Sequence, residues 1–287
     1  MKRLILPILL LSSLHAMAQP NLTSANSLPT PGMSTTYNTT DIGTPGSGGA
    51  NQTWNFATIP NNGNLTTDYI TCSAAPDCGV MTGSNVVASS SGTYMYYQNS
   101  NSASSIRGMA AGGVVMNFTN PEDMMRFPMT YNTNYSDSFL VSYTSGVPFI
   151  RRGNVTVTAD GYGTLILPTG TYNNVLRVHR VEEYRDETMG IVMFETVGDQ
   201  YMWYQAGNHD VILSSVNLTI NGTSATKVDV YTATPTSTND VNMFETALTI
   251  FPNPASELVT VSFESRQGNN IGFTLNDLSG RVVAAKE

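Results

Sequence analysis

From Gly92 to Thr232 the chain is a succession of short runs rich in Val, Ile, Thr and Tyr, among them GTYMYYQ, SDSFLVSYT, NVLRVHRVEEY, QYMWYQ and DVILSSVNLTI, each closed by Gly, Pro, Asn or Asp. No stretch keeps the 3.6-residue period of an amphipathic helix. Runs this short satisfy their backbone N–H and C=O groups only against other strands, so the pattern predicts an all-β protein. The expected architecture is one large antiparallel β-sandwich or jelly-roll-like domain over residues 19–231, a length of about 210 residues that suits a single β-domain. Within VTVTADGYGTLIL, the pair Asp160-Gly161 predicts a hairpin turn, since Gly tolerates the positive φ that such a turn needs.

The ends of the chain read differently. Residues 1–18 place Lys2 and Arg3 before an apolar stretch from Leu4 to Leu14 and the small-residue positions Ala16 and Ala18, the pattern of a secretory signal peptide whose removal leaves Gln19 first. No later segment is long and apolar enough to cross a bilayer as a helix, so no transmembrane segment is expected in the mature chain. Loss of Lys2 and Arg3 moves the formal net charge from −8 to −10. Such a chain lacks the basic clusters that neutralise phosphates, which excludes nucleic acid and anionic membrane surfaces as expected partners. Charged residues make up 12% of the chain against about 25% in ordinary domains, the balance of an extracellular β-protein. Cys72 and Cys78, both in the exported part, predict a disulfide around a small loop, contributing about 2 kcal/mol.

Beyond residue 231 a Thr/Ser/Pro-rich stretch, residues 232–247, predicts an extended linker. A second alternating unit follows over residues 248–287. Its Phe251-Pro252-Asn253-Pro254, the strand from Leu258 to Phe263, and Leu275-Asn276-Asp277-Leu278-Ser279-Gly280-Arg281-Val282-Val283 resemble the type A C-terminal sorting domain of the type IX secretion system. The resemblance implies a small Ig-like β-sandwich that carries cargo through the outer membrane of a Gram-negative bacterium, by way of the periplasm, to the cell surface or the medium. It implies the type IX machinery as a partner. Members of that family usually continue with further strands, so an incomplete Ig-like unit is expected here. Gly43–Phe56 and Ala159–Tyr184 are similar to stretches of uncharacterised secreted proteins with the same tail, a likeness that carries no residue roles.

The chemistry of the large domain is sparse. Its histidines are His179, expected on a half-exposed strand face, and His209, expected in a loop beside Asp210. No G-x-S-x-G, H-E-x-x-H, P-loop or EF-hand pattern occurs, so no catalytic residue, metal site or cofactor is assigned. The loops TNPED and GNHD offer oxygen ligands without a calcium-specific spacing. Glu182, Glu183, Asp186, Glu187, Glu195 and Asp199 could supply the paired carboxylates of a glycosidase-like hydrolase; with Arg180 and Arg185 among them they also read as a solvated hairpin. Tyr94 with Tyr96, and Tyr201 with Trp203, sit two apart and should share strand faces. Exposed, they would form a sugar-stacking platform; buried, they would be core. Met109, Met116, Met124, Met125 and Met129 read as adaptable core filler. The functional expectation is a secreted or surface binding protein, an adhesin or glycan-binding module, with a secreted hydrolase as the alternative.

Overall fold

The computed structural model describes residues 19–233 and, in the C-terminal unit, the strands Thr249–Phe251, Thr260–Ser262, Phe273–Asn276 and Val282–Lys286. The chain packs as two units that part after Thr236. The expected signal peptide and nearly all of the expected linker lie outside the described residues.

The first unit opens with β1 (Asn21–Leu22) and a single helical turn, α1 (Ser24–Ser27), at whose start the Thr23 amide donates to Asn26 Oδ1 at 2.7 Å. There follow β2 (Ser34–Thr40), β3 (Gly49–Asn55), β4 (Gly63–Ile70), β5 (Val86–Ser90), β6 (Thr93–Asn99) and β7 (Ala103–Ala111). Then come β8 (Val114–Arg126), β9 (Met129–Thr130), β10 (Asn134–Ser145), β11 (Val147–Leu167) and β12 (Gly170–Thr188). The unit ends with β13 (Ile191–Gln205), β14 (Leu213–Ile220) and β15 (Thr223–Thr232). Four of the hairpins turn on two residues with positive φ: Ser91-Gly92, Gly112-Gly113, Met189-Gly190 and Asn221-Gly222. Positive φ at both central positions matches the strand twist, which is why Gly recurs there.

Each main strand pairs antiparallel with its neighbour in sequence. The series β2, β4, β5, β6, β7, β8, β10, β11, β12, β13, β14, β15 returns to its start because β15 pairs with β2, from Asp229 opposite Thr40 to Thr232 opposite Tyr37. The large domain is thus a closed twelve-strand barrel. This corrects the sandwich or jelly-roll expectation: a sandwich needs connections that cross between two sheets, whereas here every tight turn delivers the next strand to the adjacent position. Alternation within a strand is the same in either case, so only the closing pair distinguishes them.

A barrel this wide must fill its interior. Val155, Val157, Leu176, Val178, Met202 and Tyr204 point inward and pack with Leu22, which β1 holds in place by pairing with β9. Residues of the opposite parity point outward: Val175 of β12, Trp203 of β13, Leu213 of β14 and Tyr231 of β15 form a second cluster with Ile42, Trp54 and Leu165, beneath the segment that carries β3. A third cluster, Val87, Tyr96 and Ala110, lies under Met81 and Cys72 of the disulfide loop, where the Cys72–Cys78 bond measures 2.00 Å. The wall is therefore covered on both faces over much of its extent.

Asp160-Gly161 is not a turn. β11 runs through it with a register shift between Ala159 and Gly161, and Asp160 points out to hold Arg177 through two bonds of 2.8 Å. The glycines of this stretch serve a close approach instead: β3 lies parallel to β11 there, and a Cβ on Gly163 would come within 1.9 Å of the Gln52 carbonyl oxygen. TNPED likewise is no loop, since Asn120 to Asp123 lie within β8. Among the described residues no helix is long and apolar enough to cross a membrane.

Because the atom that Gly163 approaches is backbone, rotamer changes cannot relieve the clash. Gly163→Ala is expected to destabilise the barrel by about 1–3 kcal/mol and to expose Trp54. Denaturant titration followed by tryptophan emission checks it: a lower midpoint with red-shifted native emission is expected, and an unchanged midpoint would contradict this packing.

Candidate binding site

The aromatic residues singled out by spacing share faces as alternation requires, and their surroundings differ. Tyr96 is fully buried, with its hydroxyl donating to the Pro76 carbonyl beneath the disulfide loop. Trp203 is fully buried too, meeting Trp54 edge-on at 5.9 Å. Neither offers a free face for a sugar, because the outer segments already occupy them. Tyr94 and Tyr201 are half-buried. Tyr201 stacks on His179 at 4.2 Å between ring centroids, and His179 Nε2 lies 2.6 Å from Asp199 Oδ1. Arg177 stands beside this stack, buried, and donates to the carbonyls of Pro45 and Gly46 as well as to Asp160. It therefore fastens the outer segment to the wall.

The acidic residues do not converge. Glu182 faces the interior and pairs with Arg180, which also holds buried Glu122 across from β8. Asp186 receives a bidentate Arg151 at 2.9 Å. Glu187 is bracketed by Arg152 and Arg185. Glu183 and Glu195 are exposed and line an open groove of about 800 Å³ together with Arg152 and Arg185. Asp199 is engaged by His179 outside that groove. Among the described residues no three His, Cys, Asp or Glu side chains are grouped to hold a metal ion.

The concave site that does assemble lies where the N-terminal segment closes one end of the barrel. The Asn26 carbonyl accepts from the Gly207 amide at 2.6 Å, and the Leu28 carbonyl lies 3.2 Å from His209 Nδ1, tying this segment to the β13–β14 loop. Between them a cleft of about 450 Å³ is lined by Ser24, Thr30, Asn85, Asn99, Asn101 and His209. Bordering it, a chamber of about 90 Å³ is walled by Tyr69, Tyr97, Tyr204, Met124, Asn99 and Asp210 among others. Leu28, Pro29 and Asn99 border both spaces. Asp210 turns inward from its loop; its Oδ2 accepts from the Tyr69 hydroxyl at 2.7 Å and its Oδ1 from the Val211 amide at 2.8 Å.

Burial pushes the Asp210 carboxyl above its ordinary 3.8, with the Tyr69 and Tyr37 hydroxyls pulling the other way. Desolvation and the nearby Asp210 charge together push Tyr97 up to about 12, and the same two causes raise Tyr69 and Tyr204. Sequence spacing did not single out these residues. The available signal was that aromatic side chains occupy both parities of the TYMYYQ and QYMWYQ runs, as they do in a wall with two covered faces. His209 lies in a loop, as expected, and the inward residue there is its neighbour Asp210.

A barrel and a separate small β-unit define a passenger with a tail. In the tail, β16 (Thr249–Phe251) pairs antiparallel with β17 (Thr260–Ser262), and β18 (Phe273–Asn276) with β19 (Val282–Lys286). Phe251 ends β16; Pro252, Asn253, Pro254, Asp277, Leu278, Ser279 and Gly280 lie outside the described residues. Residues 249–287 match the family described as the secretion system C-terminal sorting domain, which supports a cargo protein of the type IX secretion system. Such cargo interacts with that machinery and is exported to the cell surface or the extracellular space. No match was found among curated proteins or among solved structures.

The raised Asp210 carboxyl carries a sign that can be measured. The folded state holds this proton more tightly than the unfolded chain, so the stability it contributes is fully present below the ordinary carboxyl value and is lost as pH rises through the raised one. Relative to Asp210→Asn, the wild-type barrel should lose unfolding free energy as pH rises from the ordinary carboxyl value, about 4, through the raised one. A difference that stays flat across that range in chemical denaturation would contradict the buried placement.

Proposed function

We propose that the mature chain, beginning at Gln19 after loss of residues 1–18, is a non-enzymatic binding protein that acts at the cell surface or in the medium, delivered there through the periplasm by its Ig-like tail. The observation that carries this reading is the cleft at the closed end of the barrel. Its lining sets amide and hydroxyl side chains, those of Ser24, Thr30, Ser100 and Asn101, among the apolar Leu28, Pro29, Pro31 and Val86; the former can hydrogen-bond sugar hydroxyls, and a specific site is an apolar concavity with a few convergent polar groups. Glycans are the ligand class that fits such a lining. Adhesion through the half-buried Tyr201 and His179 stack is a weaker version, because only part of each ring is open. Against a glycosidase-like hydrolase, Glu182, Asp186 and Glu187 are each committed to arginine, and Glu183 and Glu195 stand in an open groove with Arg152 and Arg185, the two that bracket Glu187.

A glycan array with the mature chain tests the reading. Binding is expected, and Asn101→Ala in the cleft should weaken it about tenfold, the loss of roughly one hydrogen bond at 1.4 kcal/mol. Hydrolysis of a glycoside that is abolished by Glu183→Gln or Glu195→Gln would contradict it, as would glycan binding that ignores every cleft substitution.

A further inference from the structure

Among the described residues four carboxylates are buried: Glu122, Asp186, Asp210 and Asp229. Three of them have a cation in ion-pair contact. Arg180 meets Glu122, Arg151 grips Asp186 with both nitrogens, and Lys227 lies 3.2 Å from Asp229. Asp210 is the exception: hydroxyl and amide donors meet it, and no described Lys, Arg or His forms an ion pair with it. A buried carboxylate without a countercharge is costly, since hydrogen bonds recover only part of the lost hydration.

That missing charge has a place to sit. Asp210 lines the chamber of about 90 Å³, and the other walls include Tyr69, Tyr97 and Tyr204 and the apolar Met124, Met125 and Leu28. Tyrosine faces attract cations through their ring quadrupole, most strongly where water is excluded. The lining offers methyl groups an apolar surface, whereas a bare inorganic cation would find Asp210 as its one anionic ligand, the remaining oxygens being the neutral ones of Ser27, Asn99, Ser104 and the tyrosine hydroxyls. With about 30 Å³ per water, the space holds roughly three heavy atoms. We propose that the chamber receives a small alkylammonium group, its nitrogen against Asp210 and its methyl groups against the tyrosine rings and Met124. Because Leu28, Pro29 and Asn99 border both chamber and cleft, the group can be a free amine or the end of a longer amine lying in the cleft. The inference stands independently of glycan binding in the cleft.

The test is a titration of the mature chain, labelled with carbon-13 at its methionine methyls, with dimethylammonium chloride at constant ionic strength. Met124→Leu assigns the reporting resonance. A saturable shift of the Met124 methyl is expected, with tetramethylammonium, too large for the chamber, leaving it in place. Asp210→Asn should weaken the affinity at least tenfold. Should that variant not fold, Tyr97→Leu, which keeps the carboxylate and removes one ring face, should weaken it about tenfold. The proposal is overturned if dimethylammonium produces no saturable shift, if potassium or neutral dimethyl ether reproduces the shift at the same concentration, or if a folded Asp210 or Tyr97 variant binds as the wild type does. A longer alkylamine that binds tighter than dimethylammonium, with cleft resonances shifting as well, identifies the occupant as the end of a larger ligand.

Discussion

The pairing of β2 with β15 turns a meander into a barrel. It joins residues about 190 positions apart through a short ladder between Tyr37 to Thr40 and Asp229 to Thr232. Polar contacts just outside the ladder hold it shut. The Ile42 amide donates to Asp229 Oδ2 at 2.8 Å, Lys227 reaches both Asp229 and Asp41, and the Ala233 amide donates to the Thr36 carbonyl at 2.8 Å. Without this seam the sheet would have two free edges, each a row of unpaired backbone groups prone to pairing with another chain. With it, every main strand has two neighbours.

Closure also explains where the charges are. An open or flattened sheet would leave the inner faces of β8 and β12 far apart or exposed, whereas the ring sets Glu122 against Arg180 across the interior. A barrel of twelve strands encloses more space than aliphatic side chains on its wall can fill, so tyrosines, ion pairs and the N-terminal segment complete the interior. The small chamber at Asp210 is what this filling leaves beside the N-terminal segment. The cleft and the chamber thus sit at the end where the segment from Asn21 to Pro31 is folded in, while the outer face is taken up by the β3 segment and the disulfide loop.

Part of this was legible in the sequence for local reasons. Strand type, the short turns and the disulfide follow from neighbouring residues, and Tyr201 and Trp203 share a face because a strand has a period of two. The sorting tail was legible because Phe251 to Pro254 and Asp277 to Gly280 form a specific pattern. Closure was not, because nothing in the text of β2 says that it will meet β15. For the same reason burial was unreadable: Trp203 looks like a platform until Trp54, about 150 residues earlier, is laid over it. Asp160-Gly161 misled because glycine serves two ends, positive φ in a turn and close backbone approach in a sheet, and only the position of β3 decides between them. Asp210 carries no sequence signal of its own, because an acidic loop residue is usually solvated.

Hydrogen exchange at the seam tests the closed barrel most directly. The amides of Asn38, Thr40, Asp229 and Tyr231 belong to a ladder that holds the whole ring, so their opening should need global unfolding. Their protection should equal that of the β12–β13 ladder and fall with denaturant at the same slope. If instead they exchange by local opening while β12 and β13 stay protected, the sheet is an open meander in solution, and the filled interior and its chamber cannot be as described.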